Sequence, residues 1–177
     1  MMDLSLLRFL GLGPTVDSDE HDIQGVRTII DALGTLEPDR ARYLAAFAYI
    51  LSRVAHVDQH VSVQETEAIE RVVAQQGSLP PAQATLVVEI AKAQSLLFGG
   101  VEDFQVTREF ANRATHEEKL ALLHCLFAVS SADQTIAVIE DNEIRRISRE
   151  LRIEHADYIA ARLAHRQHLG VLKADDE

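Results

Sequence analysis

The sequence predicts an all-α fold, a helical bundle with two pseudo-symmetric helix–acidic loop–helix repeats. Apolar residues recur at spacings of three and four, the alternating pattern of half-buried strands is nearly absent, and a block of residues recurs along the chain. With 177 residues the chain can bury a core without disulfides. Aromatic residues make up only 5% and tryptophan is missing, so Leu, Ile, Val and Ala must fill that core.

Three parts are expected along the chain. Residues 1–22 form a short N-terminal segment and an acidic connector, residues 23–172 form a single helical domain, and residues 173–177 form an acidic tail. Within the domain, a first helix is predicted from Ile23 to Leu33, ending near Gly34 because glycine is common just after a helix.

The first repeat begins with a helix near Pro38, a residue type that the first helical turn tolerates. Spacings of three and four place the following residues on one face of it: Leu44, Phe47, Ala48, Leu51, Val54 and Ala55. A loop around Asp58 leads to a helix that ends by Gly77 and carries Ile69, Val72 and Val73. Pro80-Pro81 then opens a helix that Gly99-Gly100 stops, with one apolar face made of Leu86, Ile90, Ala93 and Leu97.

The second half begins with a shorter helix from Phe104 to Asn112. Thr115 and Glu118 have the spacing of a capping box, in which side chain and backbone bond reciprocally. The helix that they open carries Leu122, Leu123, Leu126 and Val129. A loop at Asp133 precedes a helix with Ile144, Ile147 and Leu151, and a last helix is predicted from His155 to His168.

The repeat appears when the chain is compared with itself after a shift of 75 positions, which aligns Asp58 with Asp133 without a gap. Polar and apolar residues both match, so helical periodicity alone does not explain the similarity. The identical pairs include Val54 with Val129, Asp58 with Asp133, Gln59 with Gln134, Val63 with Val138, Glu65 with Glu140, Ile69 with Ile144 and Arg71 with Arg146. A tandem duplication with approximate two-fold symmetry explains these pairs and could bring both acidic loops to one end of the molecule.

The acids of the two loops are candidate ligands for a hard divalent cation, Ca²⁺, Mg²⁺ or Mn²⁺, which prefer oxygen donors. An Asp at the C-terminal end of a helix faces the negative end of the helix dipole, at a cost of about 0.3–1 kcal/mol that a cation would offset. The loops lack the EF-hand pattern. The predicted metal ligands, for one shared site or two separate ones, are Asp58, Glu65, Asp133 and Glu140.

The same acids also fit a purely structural role as helix caps. Ser62 and Glu65 have capping-box spacing. In the second repeat the cap position is Ala137, yet Glu140 is present, which favours a further task for the glutamates. Both interpretations stay open at this point.

The loop sequences Val57–Glu65 and Ala132–Glu140 resemble the repeated Ala-Asp-Gly-x-Ile-x-x-x-Glu element of the TerB-like tellurite-resistance family. The later helices, with Leu122–Val129, Ile144–Ile147 and Asp157–Arg162, resemble the second half of that family, and the similarity covers about Ala41 to Leu169. It implies an all-helical bundle, an acidic cluster suspected of holding metal, and a link to tellurite or other stress resistance. In both loops a glutamine, Gln59 and Gln134, replaces the glycine of the family, which weakens the metal inference if that position needs a positive φ.

Other residues are weighed and given structural roles. His56 and His60 flank Asp58, but the second repeat has Ser131 and Thr135 instead, so a transition-metal set is disfavoured. His165 and His168 are expected to be exposed, and Cys125 to be buried and inert. The arginine-rich helix is expected to be a solvated face pairing with Glu143, Glu150 and Glu154, with docking of an acidic partner as the alternative; its arginines are Arg145, Arg146, Arg149 and Arg152.

Composition narrows the function. The net charge of −11 disfavours nucleic acid as a partner. A single cysteine and the lack of a long apolar run favour a cytoplasmic protein without a membrane span. We expect no enzyme and no catalytic residues, but an accessory protein of stress or tellurite resistance that binds a divalent cation and a protein partner. The alternatives are a metal-independent helical scaffold and a metal-dependent hydrolase with His56 or His60 as base; the sequence does not reveal the oligomeric state.

Overall fold

Proline and capping residues set where the helices begin. The computed structural model describes residues 20–55, 62–97, 103–132 and 136–169, and regular structure in these ranges is helical. In chain order the α-helices are α1 Glu20–Gly34, α2 Pro38–Ser52, α3 Val63–Gln76, α4 Pro81–Lys92, α5 Gln94–Leu97, α6 Asp103–Arg113, α7 His116–Ser130, α8 Val138–Glu150 and α9 His155–Ala164. The all-α prediction is confirmed.

The predicted helix starts agree with the observed ones where a cap or proline marked them. Pro38 and Pro81 lie in the first turns of α2 and α4. Ser62 caps α3 and Thr115 caps α7, each with its side chain accepting a hydrogen bond from the backbone N–H three residues on. These bonds satisfy N–H groups that the first turn of a helix leaves without a partner.

Three boundaries differ from the predictions. Helix α1 begins at Glu20, inside the predicted acidic connector; acidic residues suit the first turn because they face the positive end of the helix dipole. The helix predicted to open at Pro80-Pro81 and to stop at Gly99-Gly100 breaks at Ala93, whose ψ of 11° is not helical, so that α4 and the short α5 are separate. The last helix ends at Ala164, and the 3₁₀ helix Arg166–His168 follows it.

Helices α3 and α8 end in the same way, with a residue in the left-handed region. Ser78 has a φ of 53° and Arg152 a φ of 57°. Beyond each, a backbone N–H bonds back to a carbonyl five residues earlier: Leu79 to Ala74 at 3.1 Å and Ile153 to Ser148 at 3.0 Å. This Schellman pattern satisfies carbonyl groups at the helix end.

Two central helices carry most of the core. Helix α2 is buried almost all round from Leu44 to Leu51, as expected for a helix surrounded by others. It packs against α4, α6 and α7, while α7 also contacts α3, α8 and α9. The apolar faces predicted for α2 and α7 are buried, and Phe47 and Phe127 are the largest fully buried side chains.

The two repeat units differ in their neighbours. Helix α3 packs mainly against α4 and α7, whereas α8 packs against α6 and α7. Both helices start at the aligned positions Val63 and Val138. The pseudo-two-fold relation between the repeats stays a prediction.

Candidate functional site

The structure describes half of the predicted metal ligands. Glu65 and Glu140 are both the third residue of their helices, α3 and α8. The other predicted loop residues lie outside the described residues: His56, Asp58, Gln59, His60, Asp133 and Gln134. Within the described ranges, no three His, Cys, Asp or Glu side chains lie together as a group that could hold a metal ion.

Glu65 completes the capping box that the sequence predicts. Its Oε2 accepts hydrogen bonds from the backbone N–H of Ser62 at 2.9 Å and from the Ser62 hydroxyl at 2.7 Å. The Ser62 Oγ in turn accepts the Glu65 backbone N–H at 3.3 Å. These bonds from Ser62 stabilise the charged carboxylate and lower the pKa of Glu65 below its usual value.

Glu140 makes half of the same arrangement. Its Oε2 accepts the backbone N–H of Ala137 at 2.8 Å, but the alanine has no side chain to return a bond. Glu140 therefore has a capping role although Ala137 has no capping side chain, because the backbone bond does not depend on that side chain. In both glutamates every hydrogen bond that the structure describes goes to Oε2. The Oε1 atom is therefore available to accept a hydrogen bond or to ligate a cation.

Two buried hydroxyls lie beside the acidic loops. Thr66 directly follows Glu65, and Ser130 is the last residue of α7, just before the second loop. Both side-chain oxygens are buried and have no hydrogen-bond partner among the residues that the structure describes, which is rare in folded proteins. Hydroxyl and carboxylate oxygens are of the hard type that Ca²⁺, Mg²⁺ and Mn²⁺ prefer.

An ion-pair network joins the end of α2 to α8. Arg53, just after α2, donates to Glu143 Oε1 at 3.0 Å from Nε and to Glu150 Oε2 at 2.7 Å from Nη1. The same Nη1 donates to the buried Thr107 hydroxyl of α6 at 2.7 Å. The side chain of Arg53 is 4% exposed, and those of Glu150 and Glu143 are 10% and 24% exposed.

Burial alone would lower the pKa of Arg53, but its hydrogen bonds with Glu150 and Glu143 outweigh burial and raise it. The guanidinium is thus held charged in the interior by two carboxylates. Sequence reasoning missed this residue, because the repeat aligns Arg53 with Ala128 and no local pattern marks a partner about 90 residues away. The network ties the helix that enters the first acidic loop to the helix that leaves the second.

The arginine-rich helix is only partly neutralised. Arg146 pairs with Glu150 at 3.1 Å and with Glu143 at 3.9 Å, as the solvated-face interpretation predicts. In the described part of the chain Arg145, Arg149 and Arg152 are exposed and form no ion pair. Two of the predicted partners, Glu143 and Glu150, bond to Arg53, so the predicted pairing is wrong for these three arginines, whereas their predicted solvent exposure is confirmed.

The predictions for the remaining candidates have mixed outcomes. Cys125 is buried, as predicted, and burial raises the pKa of its thiol to about 12, which disfavours the reactive thiolate. His165 and His168 are half-buried, so their predicted exposure is wrong. The His165 ring stacks on Phe127 with centroids 5.7 Å apart, and burial lowers the pKa of His165.

A cleft of roughly 390 Å³ lies between α2, α6 and α7. Its apolar side includes Tyr43 and Phe110, whose stacked rings are 5.2 Å apart, and its rim pairs arginines with acids. Neither Glu65 nor Glu140 lines it. In the described ranges every helix also falls short of the length and apolar content that a membrane span requires.

The comparison with protein families agrees with this architecture. The sequence profile described as "Tellurite resistance protein TerB" matches residues 43–163, which is most of the chain and includes both acidic loops. The chain belongs to the TerB family. This confirms the resemblance read from the loop motifs and makes the chain a member of a tellurite-resistance family. Searches of curated proteins and of solved structures find no match to it.

Proposed function

We propose that this TerB-family chain is a non-enzymatic, cytoplasmic accessory protein of stress resistance that holds a divalent cation at its acidic loops and binds a protein partner. The observation that carries the metal part is the matched placement of Glu65 and Glu140. Each directly follows an acidic loop, and each keeps Oε1 without a hydrogen bond in the described part of the chain.

Charge supports the role of these glutamates as ligands. The pKa of Glu65 is lowered by its bonds to Ser62, so this carboxylate is ionised at neutral pH, as a ligand must be. Capping also fixes the orientation of the carboxylate, because Oε2 is held by the backbone while Oε1 points elsewhere. The glutamates, with Asp58 and Asp133, would be the residues that hold the ion, which would supply charge compensation between the loops.

The duplication supports a paired arrangement of the loops. Helices α3 and α8 begin at equivalent positions and end with the same backbone pattern at Ser78 and Arg152. We propose that these units are pseudo-symmetric copies and that their loops lie at one end of the bundle. The Arg53 network supports this placement, because it joins the helices beside the two loops.

A metal-independent scaffold is the second candidate, and the caps favour it. Glu65 and Glu140 both bond to the backbone of their own helix starts, which is what a purely structural acid would do. Under that proposal the acidic loops bind no ion, and the helical surfaces alone account for the function.

A thermal melt separates the two proposals. Chelator-treated protein is melted with and without Ca²⁺, Mg²⁺ or Mn²⁺, and the Asp58→Asn/Asp133→Asn variant is compared with Asp31→Asn/Asp39→Asn, which alters exposed acids elsewhere. A cation at 100 times its Kd should stabilise the parent by about 2.7 kcal/mol. For a chain of this size that raises the Tm by roughly 5–11 °C.

The metal proposal expects this shift in the parent and in the control variant, and its loss in Asp58→Asn/Asp133→Asn. Equal melting with and without each cation would reject the metal site and leave the scaffold. A Glu65→Gln/Glu140→Gln variant adds a further distinction, since glutamine retains an oxygen to cap the helix but loses the charge that binds a cation.

A further inference from the structure

One surface of the molecule combines exposed arginines with exposed apolar side chains. On α8, Val138, Arg145 and Arg149 follow at spacings of seven and four, which places them on one stripe of the helix. Bonds between Arg162 and Asp141, at 3.0 and 2.7 Å, bring α9 beside this stripe. We define the α8–α9 surface by its exposed residues: Val138, Arg145, Arg149, Arg152, Ile159, Leu163 and Arg166.

Among the described residues, no carboxylate pairs with the arginines of this surface. Within the described ranges Arg145, Arg149, Arg152 and Arg166 form no ion pair, although the chain as a whole carries a net charge of −11. Beside them Val138, Ile159 and Leu163 are 52%, 36% and 55% exposed. The chemical complement of such a surface is a peptide segment with apolar side chains followed by several carboxylates.

The chain itself carries such a segment directly after Leu169 in the sequence. Residues 170–177 read Gly-Val-Leu-Lys-Ala-Asp-Asp-Glu, two apolar residues followed by three acids. The residue before them, Leu169, is fixed in place: it forms a parallel bridge with Ile136, whose N–H bonds to the His168 carbonyl at 2.6 Å. The residue before the segment is therefore held against Ile136, two residues before the start of α8.

Its length suffices to reach the arginines. Eight residues span at most about 26–29 Å when extended. Along α8 the rise of 1.5 Å per residue puts Arg149 about 17 Å from Val138. An attached segment acts at an effective concentration in the millimolar range, so weak contacts are enough to occupy the surface.

We propose that residues 170–177 dock on the α8–α9 surface, with Val171 and Leu172 against its apolar side chains and Asp175, Asp176 and Glu177 beside its arginines. An acidic protein partner would then contact the same side chains as the segment. The proposal rests on the interaction role proposed above and gives that role a place on the molecule.

The test uses the full chain with Ala174→Cys, carrying a spin label on the new thiol. Cys125 is buried and its thiol pKa is raised by burial, so labelling is confined to position 174. Nuclear magnetic resonance measures how strongly the label broadens the methyl signals of Val138, Ile159 and Leu163. The matched chain has the same label and the changes Asp175→Asn, Asp176→Asn and Glu177→Gln, so that the tether is equal and only the charges differ.

Docking predicts clearly stronger broadening in the parent than in the neutralised chain at low salt, and equal broadening in about 1 M salt, where screening shortens the Debye length to about 3 Å. Arg145→Gln/Arg149→Gln should reduce the broadening to the neutralised level, whereas Arg71→Gln/Arg108→Gln, which changes exposed arginines on α3 and α6, should not.

Equal broadening in parent and neutralised chains at low salt would overturn the proposal, because tethering alone would then explain the proximity. Broadening found only in mixtures of labelled and isotope-enriched chains would overturn it too, since the occupant would be the segment of a second copy. Neither metal nor partner enters these measurements, so their outcome is independent of the cation experiment.

Discussion

Removing the guanidinium of Arg53 should be one of the most damaging single changes outside the apolar core. Arg53→Leu leaves the carboxylates of Glu143 and Glu150 without the cation that lies 2.7–3.0 Å from them. Loss of one partner from a buried ion pair costs about 3–5 kcal/mol, because the remaining charge stays in a poorly solvated site. The other partner, Arg146, still lies 3.1 Å from Glu150, and Glu143 is partly exposed, so we expect about 3 kcal/mol.

Urea unfolding followed by circular dichroism measures this loss, and the Tm should fall by roughly 6–12 °C. Lys92→Leu is the control, because Lys92 forms an i,i+3 pair with Glu89 near the surface, a type of pair worth about 0–1 kcal/mol. Adding Glu150→Leu to Arg53→Leu should recover part of the loss, since it removes one of the stranded charges. An Arg53→Leu variant as stable as Lys92→Leu would refute the assignment of Arg53 as the link between α2 and α8.

Three further predictions follow from single titratable groups. The pKa of Glu65 is lowered in the folded protein, so above a pH of about 5 the parent should have a higher Tm than Glu65→Gln. This difference in Tm should vanish as the pH falls through the folded pKa of Glu65, and a difference that stays constant with pH would contradict the prediction. Burial lowers the pKa of His165, so the unfolded chain binds the proton more tightly than the folded chain, and the Tm should decrease below a pH of about 6.5. His165→Phe should reduce this decrease in Tm, whereas His155→Phe, at an exposed histidine, should not. Burial raises the pKa of Cys125 to about 12, so a thiol reagent should react at once in urea but only at the rate of unfolding in buffer; fast reaction of the folded protein would refute this.

Helix positions were predictable where the signal was local. Ser62 and Thr115 are recognised by a glutamate three residues on, and both caps form as the spacing predicts. The break at Ala93 was not predictable, because no proline or glycine marks it and the apolar spacing continues to Leu97.

The candidate site shows the same division. That Glu65 and Glu140 open matching helices follows from the repeat, and both do so. Arg53 could not be found from the sequence, because an ion pair across the fold depends on which helices meet. For the same reason the sequence predicts that Glu143 and Glu150 pair with nearby arginines, whereas their most buried partner is Arg53 at the end of α2.

Arg53 also offers a way to tell one shared cation site from two separate ones. The network holds the end of α2, which leads into the Asp58 loop, against α8, which follows the Asp133 loop. A site shared by both loops needs that relative placement, whereas each separate site depends only on its own loop and helix start. Arg53→Leu should therefore reduce the stabilisation by cation well below that of the Lys92→Leu control if the site is shared, measured as the change in Tm at a fixed cation concentration. Unchanged stabilisation in a folded Arg53→Leu variant would contradict a shared site and assign one cation to each loop.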